Sequence, residues 1–128
     1  MTKLSASSQD YLEAVLQLSY ENELIRSVDI ASRLGVSRAS VNRAVKVLKE
    51  AGYVVQERYS DISLTEEGRL AGQAVHQRHM ALRFFLAEVL GVNAITAEDD
   101  ACRMEHSLSE ESLSQLLVFL EQFRIPNE

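Results

Sequence analysis

The chain has 128 residues, 46% of them apolar, with one proline, five glycines, a single cysteine and a net charge of −6. That balance supports a packed core and excludes a fibrous or low-complexity chain. A lone cysteine excludes an intrachain disulfide, and no apolar run has the length of a signal peptide or membrane span, so a cytoplasmic protein without a membrane partner is expected. The charge is uneven. Residues 26–58 hold seven basic side chains against three acidic ones in an otherwise acidic chain, an asymmetry that points to a local nucleic-acid surface.

In chain order, "SSQDYLEAVLQLSYE" sets Tyr11, Leu12, Val15, Leu16 and Leu18 at helical spacing, with Ser7 or Ser8 as the cap. Asp10 and Glu13, three apart, share a face of this helix. "SVDIASRLGVSRASVNRAVKVLKEAGYV" reads as helix, turn, helix. Ser27 caps the first, Ile30, Ala31 and Leu34 form its apolar stripe, and Gly35 makes the turn. Ser37 caps the second helix, which buries Val41, Ala44, Val45 and Leu48 and ends at Gly52. In "YVVQERYSDISLT", Val54 and Val55 open an extended run, Ile62 and Leu64 alternate with polar residues, and Ser60-Asp61 turns between them. Two helices about a glycine turn followed by a hairpin predict a winged helix-turn-helix over residues 1–71.

Thr65, Glu66 and Glu67 open a long helix ending near Gly91. Thr96, with Glu98 and Asp99, is expected to start a helix containing Cys102. A last helix carries Leu113, Leu116, Leu117, Leu120 and Phe123 on one side. The fold class is therefore mainly α with a small β-hairpin, and residues 72–128 form a second, helical domain.

A helix-turn-helix presents the N-terminal end of its second helix to the major groove. Here that end is Ser37, Arg38, Ala39 and Ser40, with Asn42 and Arg43 on the next turn. Arginine reads guanine, asparagine reads adenine, and alanine meets a thymine methyl. Lys46 and Arg58 are placed to neutralise phosphates. The plainer alternative is a helical corner with a solvated basic face.

"DDACRMEHSLSEE" gathers a thiol, a carboxylate and an imidazole. Cys102, Glu105 and His106 fall at i, i+3 and i+4, one helical face, as a metal site needs. His79 and the pair Asp10 and Glu13 would complete it if their helices converge. Taken singly, Cys102 reads as a buried thiol, Glu105 and His106 as an exposed pair, Asp10 and Glu13 as first-turn acids, and His79 as a satisfied core histidine.

The stretches "QDYLEAVLQL", "VDIASRLGVSRASVNRAVKVLKEAGYV", "LTEEGRLAGQAVHQRH" and "DDACRMEHSLSEE" together resemble the diphtheria-toxin-repressor and manganese-transport-regulator family of metal-dependent transcriptional repressors, in its short two-domain form. The resemblance implies that Asp10 and Glu13 match first-helix acids of the manganese branch and that His79 matches the long-helix ligand. It implies that Glu105 and His106 match ligands common to the family, while Cys102 matches the cysteine of the iron branch. Arg83 and Glu98 stand where the iron branch has ancillary Glu and His ligands, so that version of an ancillary site is not implied. Longer members add an SH3-like third domain. The resemblance further implies a homodimeric repressor that binds a palindromic operator in double-stranded DNA when loaded with Mn(II) or Fe(II), Zn(II) or Co(II) being the softer alternatives. Metal would tie the first helix to the dimerisation helices and so fix the spacing of the recognition helices.

The competing possibility is a winged-helix regulator answering to an organic effector, which leaves Cys102, Glu105 and His106 unexplained. Neither a paired-histidine metalloprotease motif nor a nucleophile–base motif is present, so no enzyme and no organic cofactor are expected.

Overall fold

The computed structural model describes residues 4–57 and 61–123. The chain divides into two compact units, Met1–Val75 and His76–Glu128. None of the helices among the described residues is long and apolar enough to cross a membrane.

The first unit begins with α1 (Ala6–Glu21), α2 (Ser27–Leu34) and α3 (Arg38–Glu50). Helix α1 forms because its apolar residues recur every three to four positions, and that stripe is the centre of the core. Leu12 and Val15 are fully buried and Tyr11, Leu16 and Leu18 nearly so, alongside Ile30, Val41, Val45 and Leu48 from α2 and α3. Each such side chain contributes roughly 1.5–3 kcal/mol on leaving water. The cap of α1 is Ser5, whose hydroxyl accepts the Ser8 N–H, rather than Ser7 or Ser8. Helix α2 is capped at Arg26, one residue before Ser27, where the Asp29 carboxylate accepts the Arg26 N–H. Gly35 ends α2 in the left-handed region at φ 68°, a conformation glycine adopts without a Cβ penalty. Ser37 caps α3 as the sequence indicates, accepting from Ser40 N.

Strands β1 (Val54–Gln56) and β2 (Ile62–Leu64) pair antiparallel, with Val54 opposite Leu64 and Gln56 opposite Ile62. Ile62 also bridges to Ile25 in the α1–α2 connection, so the hairpin is tied to that connection at the start of β2. Arg58 and Ser60 lie outside the described residues. Helix α4 (Glu66–Phe84) starts where the Thr65 hydroxyl donates to Gly52 O and accepts from Gly68 N. Gly68 is required there: a Cβ would stand 1.9 Å from Tyr53 O.

The boundary between the units falls within α4. In the second unit α4 runs on into a π-helical turn, Phe85–Val89, before Gly91 reverses the chain at φ 77°. Helix α5 spans Ala94–Met104. It starts earlier than the expected Thr96 cap, because the Asn93 side chain accepts both the Ile95 and the Thr96 N–H. Helix α6 (Glu110–Leu120) is capped by Ser109 and ends in a 3-10 turn, Glu121–Phe123. A second small core joins Leu82 and Leu86 to Ala97 and Ala101. On α6 only Leu120 is buried, while Leu117, Val118, Phe119 and Phe123 are 40–61% exposed.

Candidate metal centre and nucleic-acid interface

The second unit contains a group of donors that the backbone brings together from two helices. His79 comes from α4, Glu98 and Cys102 from consecutive turns of α5, and Glu105 from the residue that caps it. His79 Nε2 is 2.9 Å from Glu98 Oε2, and His79 Nδ1 is 3.0 Å from Glu105 Oε1. Cys102 Sγ lies 3.8 Å from His79 Nδ1 and 3.9 Å from Glu98 Oε2. Ligand atoms of His79, Glu98 and Cys102 all lie within 4.8 Å of one another. His79 and Glu105 are buried, whereas Glu98 and Cys102 face outward, so the group has a closed floor and an open side.

A neutral imidazole has one N–H, so it can donate to only one of the two carboxylates that flank this ring. A second positive partner, a proton or a metal ion, completes the arrangement. A histidine that ligates through one nitrogen and donates from the other to a carboxylate is the usual second-shell pattern of metal sites. With a thiol and a further carboxylate at hand, the residues present fit a divalent transition metal.

Of the sequence-predicted ligands, the structure gathers His79, Cys102 and Glu105. Glu105 caps α5 with helical backbone angles and its N–H on Ala101 O, so it keeps the i, i+3 relation to Cys102, while His106 lies in the turn that follows. His106 is outside the convergent group. Asp10 and Glu13 lie on α1 in the first unit, Asp10 exposed and Glu13 half-buried, with Gln17 Nε2 3.5 Å from the Glu13 carboxylate. Glu98 is the donor not expected from sequence. Its signal was present in the i, i+4 spacing from Cys102, which puts both on one face of α5. Arg83 Nη1 holds the outer oxygen of Glu98 at 3.5 Å.

In the first unit, Ser37, Arg38, Ala39, Asn42, Arg43 and Lys46 are all exposed on α3, and Ser40 is half-buried. Arg43 donates to the Ser40 hydroxyl at 3.2 Å, which folds it along its own helix. Arg38, Asn42 and Lys46 line a concave surface that also takes in Arg26, Lys49 and Gln56, three residues not expected from sequence. Arg33 is committed elsewhere, to Gln17 and Glu21 of α1.

Residues 3–62 match the N-terminal DNA binding domain of the iron dependent repressors, and residues 65–125 match their metal binding and dimerisation domain. The chain belongs to the iron-dependent repressor family. A helix-turn-helix-type transcriptional regulator of Methanocaldococcus jannaschii is 36% identical over 122 residues, covering 94% of this chain and 98% of that one. The transcriptional regulator MntR of Salmonella typhimurium is 38% identical over 113 residues, covering 88% and 71%. Among solved structures, a manganese-dependent transcriptional repressor in complex with manganese superposes with a TM-score of 0.77 at 28% identity, covering 89% of this chain and 52% of that one. The manganese regulator SloR gives 0.78 at 27%, covering 94% and 55%. The chain spans about half the length of these two structures. The iron-dependent repressors are metal-dependent transcriptional repressors, and the expected fold class, a winged helix-turn-helix followed by a helical metal-binding and dimerisation domain, is the one observed.

Proposed function

We propose that this family member represses transcription as a homodimer on a palindromic operator, with residues 1–71 reading the DNA and residues 72–128 holding the metal and the dimer contact. The observation that carries the proposal is the convergence of His79, Glu98, Cys102 and Glu105 in a chain whose first unit exposes a basic reading helix. Glu105, buried beneath His79, orients the ring. Glu98 and Cys102 supply an oxygen and a sulfur on the open side. Asp10, Glu13 and His106 enter the ligand set on the family resemblance alone. When bound, a divalent ion supplies positive charge among carboxylates that otherwise repel one another. Carboxylates keep Mn(II) acceptable while imidazole and thiolate favour Fe(II), Co(II) or Zn(II), so Mn(II) or Fe(II) is assigned first.

On the DNA side, Arg38, Asn42 and Arg43 read base edges, Ala39 meets a thymine methyl, and Ser37 and Ser40 order the start of α3. Lys46 and Arg58 take phosphates. An organic effector would leave the four-residue cluster without a role, and the chain is a regulator rather than an enzyme. Its DNA partner places it in the cytoplasm.

Mn(II) titration followed by the electron paramagnetic resonance of the free ion tests the assignment. The intact chain should remove that signal and His79→Ala should bind at least about tenfold more weakly. Equal binding by the two proteins would overturn the site.

A further inference from the structure

Asn42 is held by a second helix. The Ser27 hydroxyl, on the first residue of α2, donates to Asn42 Oδ1 at 3.3 Å across fifteen residues of chain. Both residues line the same concave surface as Arg38, Lys46 and Lys49, so the contact sits within the region where α3 would meet DNA. Ser27 is half-buried and fixed by the helix it begins, whereas Asn42 is exposed. An exposed asparagine that turns freely about χ1 and χ2 loses that freedom when it engages a base, and so reads it weakly. An asparagine already tethered has part of that ordering done in the unbound protein. The hydroxyl uses one of the two lone pairs on Oδ1 and leaves the other, together with both amide hydrogens, for a base edge. That remaining set is an acceptor beside a donor, the pattern that pairs with adenine N6 and N7. Arg43 has a tether of a similar kind in Ser40, but from its own helix, whereas Ser27 reaches Asn42 from the neighbouring one.

We propose that Ser27 is a specificity-determining positioning residue: it presets the Asn42 amide for one base pair of each half-site, so that α2 takes part in sequence discrimination through α3. The proposal rests on Asn42 reading a base, and its test separates the two claims. Base preference would be measured at every operator position, by competition among single-base variants at fixed salt, for the metal-loaded intact chain and for Ser27→Val, Ser27→Thr, Asn42→Ala and the double variant Ser27→Val with Asn42→Ala. Valine and threonine have nearly the same shape at this helix start, so the pair isolates the hydroxyl. Ser27→Val should lower discrimination roughly two- to tenfold at one position per half-site, the scale of one net hydrogen bond, and Ser27→Thr should restore it. Asn42→Ala should lose preference at that same position, and the double variant should match Asn42→Ala there. If Ser27→Val and Ser27→Thr give the same profile, or if Ser27→Val still changes the profile when Asn42 is alanine, Ser27 does not act through Asn42. If Asn42→Ala itself changes no position, the assignment of Asn42 as a reader falls, and the role of Ser27 falls with it.

Discussion

His79 and Glu98 are nineteen residues apart in the chain and 2.9 Å apart in space, Nε2 to Oε2. This contact sets Glu98, which stands where the iron branch has an ancillary histidine, among the candidate metal donors. Glu98→Gln keeps the volume and removes the anionic oxygen. It should weaken Mn(II) binding by at least about tenfold while leaving the thermal midpoint of the metal-free protein nearly unchanged, because the half-exposed Arg83 pair it also breaks contributes little. Calorimetric metal titration beside a melting curve reads both. Unaltered Mn(II) affinity would return Glu98 to the status of a surface acid.

Cys102 faces Glu98 one turn earlier on α5 and His79 across the helix pair. A thiolate is softer than a carboxylate and should govern which metal activates, rather than whether any does. Cys102→Glu is expected to raise Mn(II) activation of DNA binding relative to Fe(II) and Zn(II). His106→Ala should lower activation by every metal. DNA binding across the metal series measures both, and an unchanged ranking in Cys102→Glu would make Cys102 a packing thiol.

Arg43 and Lys46 sit one helical turn apart on the exposed side of α3. Arg43→Ala should relax preference at one base pair, by roughly 1–3 kcal/mol if it reads guanine. Lys46→Ala should weaken all sequences alike and flatten the logarithmic salt dependence by about one unit. Matching specificity profiles for Arg43→Ala and the unaltered chain would remove Arg43 from the readers.

Gly68 lets the first turn of α4 lie against the backbone of Tyr53, where a Cβ would be 1.9 Å from the carbonyl oxygen. Backbone on both sides cannot yield as a flexible side chain can. Gly68→Ala should cost on the order of 1–3 kcal/mol and lower the melting temperature by several degrees. Gly72→Ala is the milder comparison, since its Cβ would meet the Leu16 side chain at 3.3 Å. Equal melting temperatures for Gly68→Ala and the unaltered chain would show that the start of α4 moves freely.

The first unit was the more readable part of the sequence. The stripes Tyr11–Leu12–Val15–Leu16–Leu18 and Val41–Ala44–Val45–Leu48 are local periodic signals, and every one of those residues is buried. Cap positions were less secure where several polar residues compete. Ser5 rather than Ser7 or Ser8 closes α1, and Asn93 takes two N–H groups ahead of Thr96. The π-helical turn at Phe85–Val89, where Phe85 lies edge-on to Phe119, has no cue in composition. At the site, His79, Cys102 and Glu105 were readable from residue type and spacing. Glu98 shares the helical face of Cys102 by its i, i+4 spacing, but spacing alone does not set it against His79, which comes from another helix. The tether between Ser27 and Asn42 is likewise a tertiary contact between two helices, invisible to either helix's own pattern.

The most direct measurement of metal-controlled DNA binding is operator affinity by fluorescence anisotropy at one fixed salt concentration, with the intact chain either Mn(II)-loaded or chelator-treated, and the mass of each form in solution recorded alongside. The apolar residues exposed on α6 need no ion to pair, so the chelated protein should remain a dimer. It should lose at least about fivefold in specific affinity, the low end of typical allosteric coupling, while keeping its weak, salt-dependent binding to unrelated DNA. Chelated and metal-loaded protein binding the operator equally tightly would contradict metal-controlled repression.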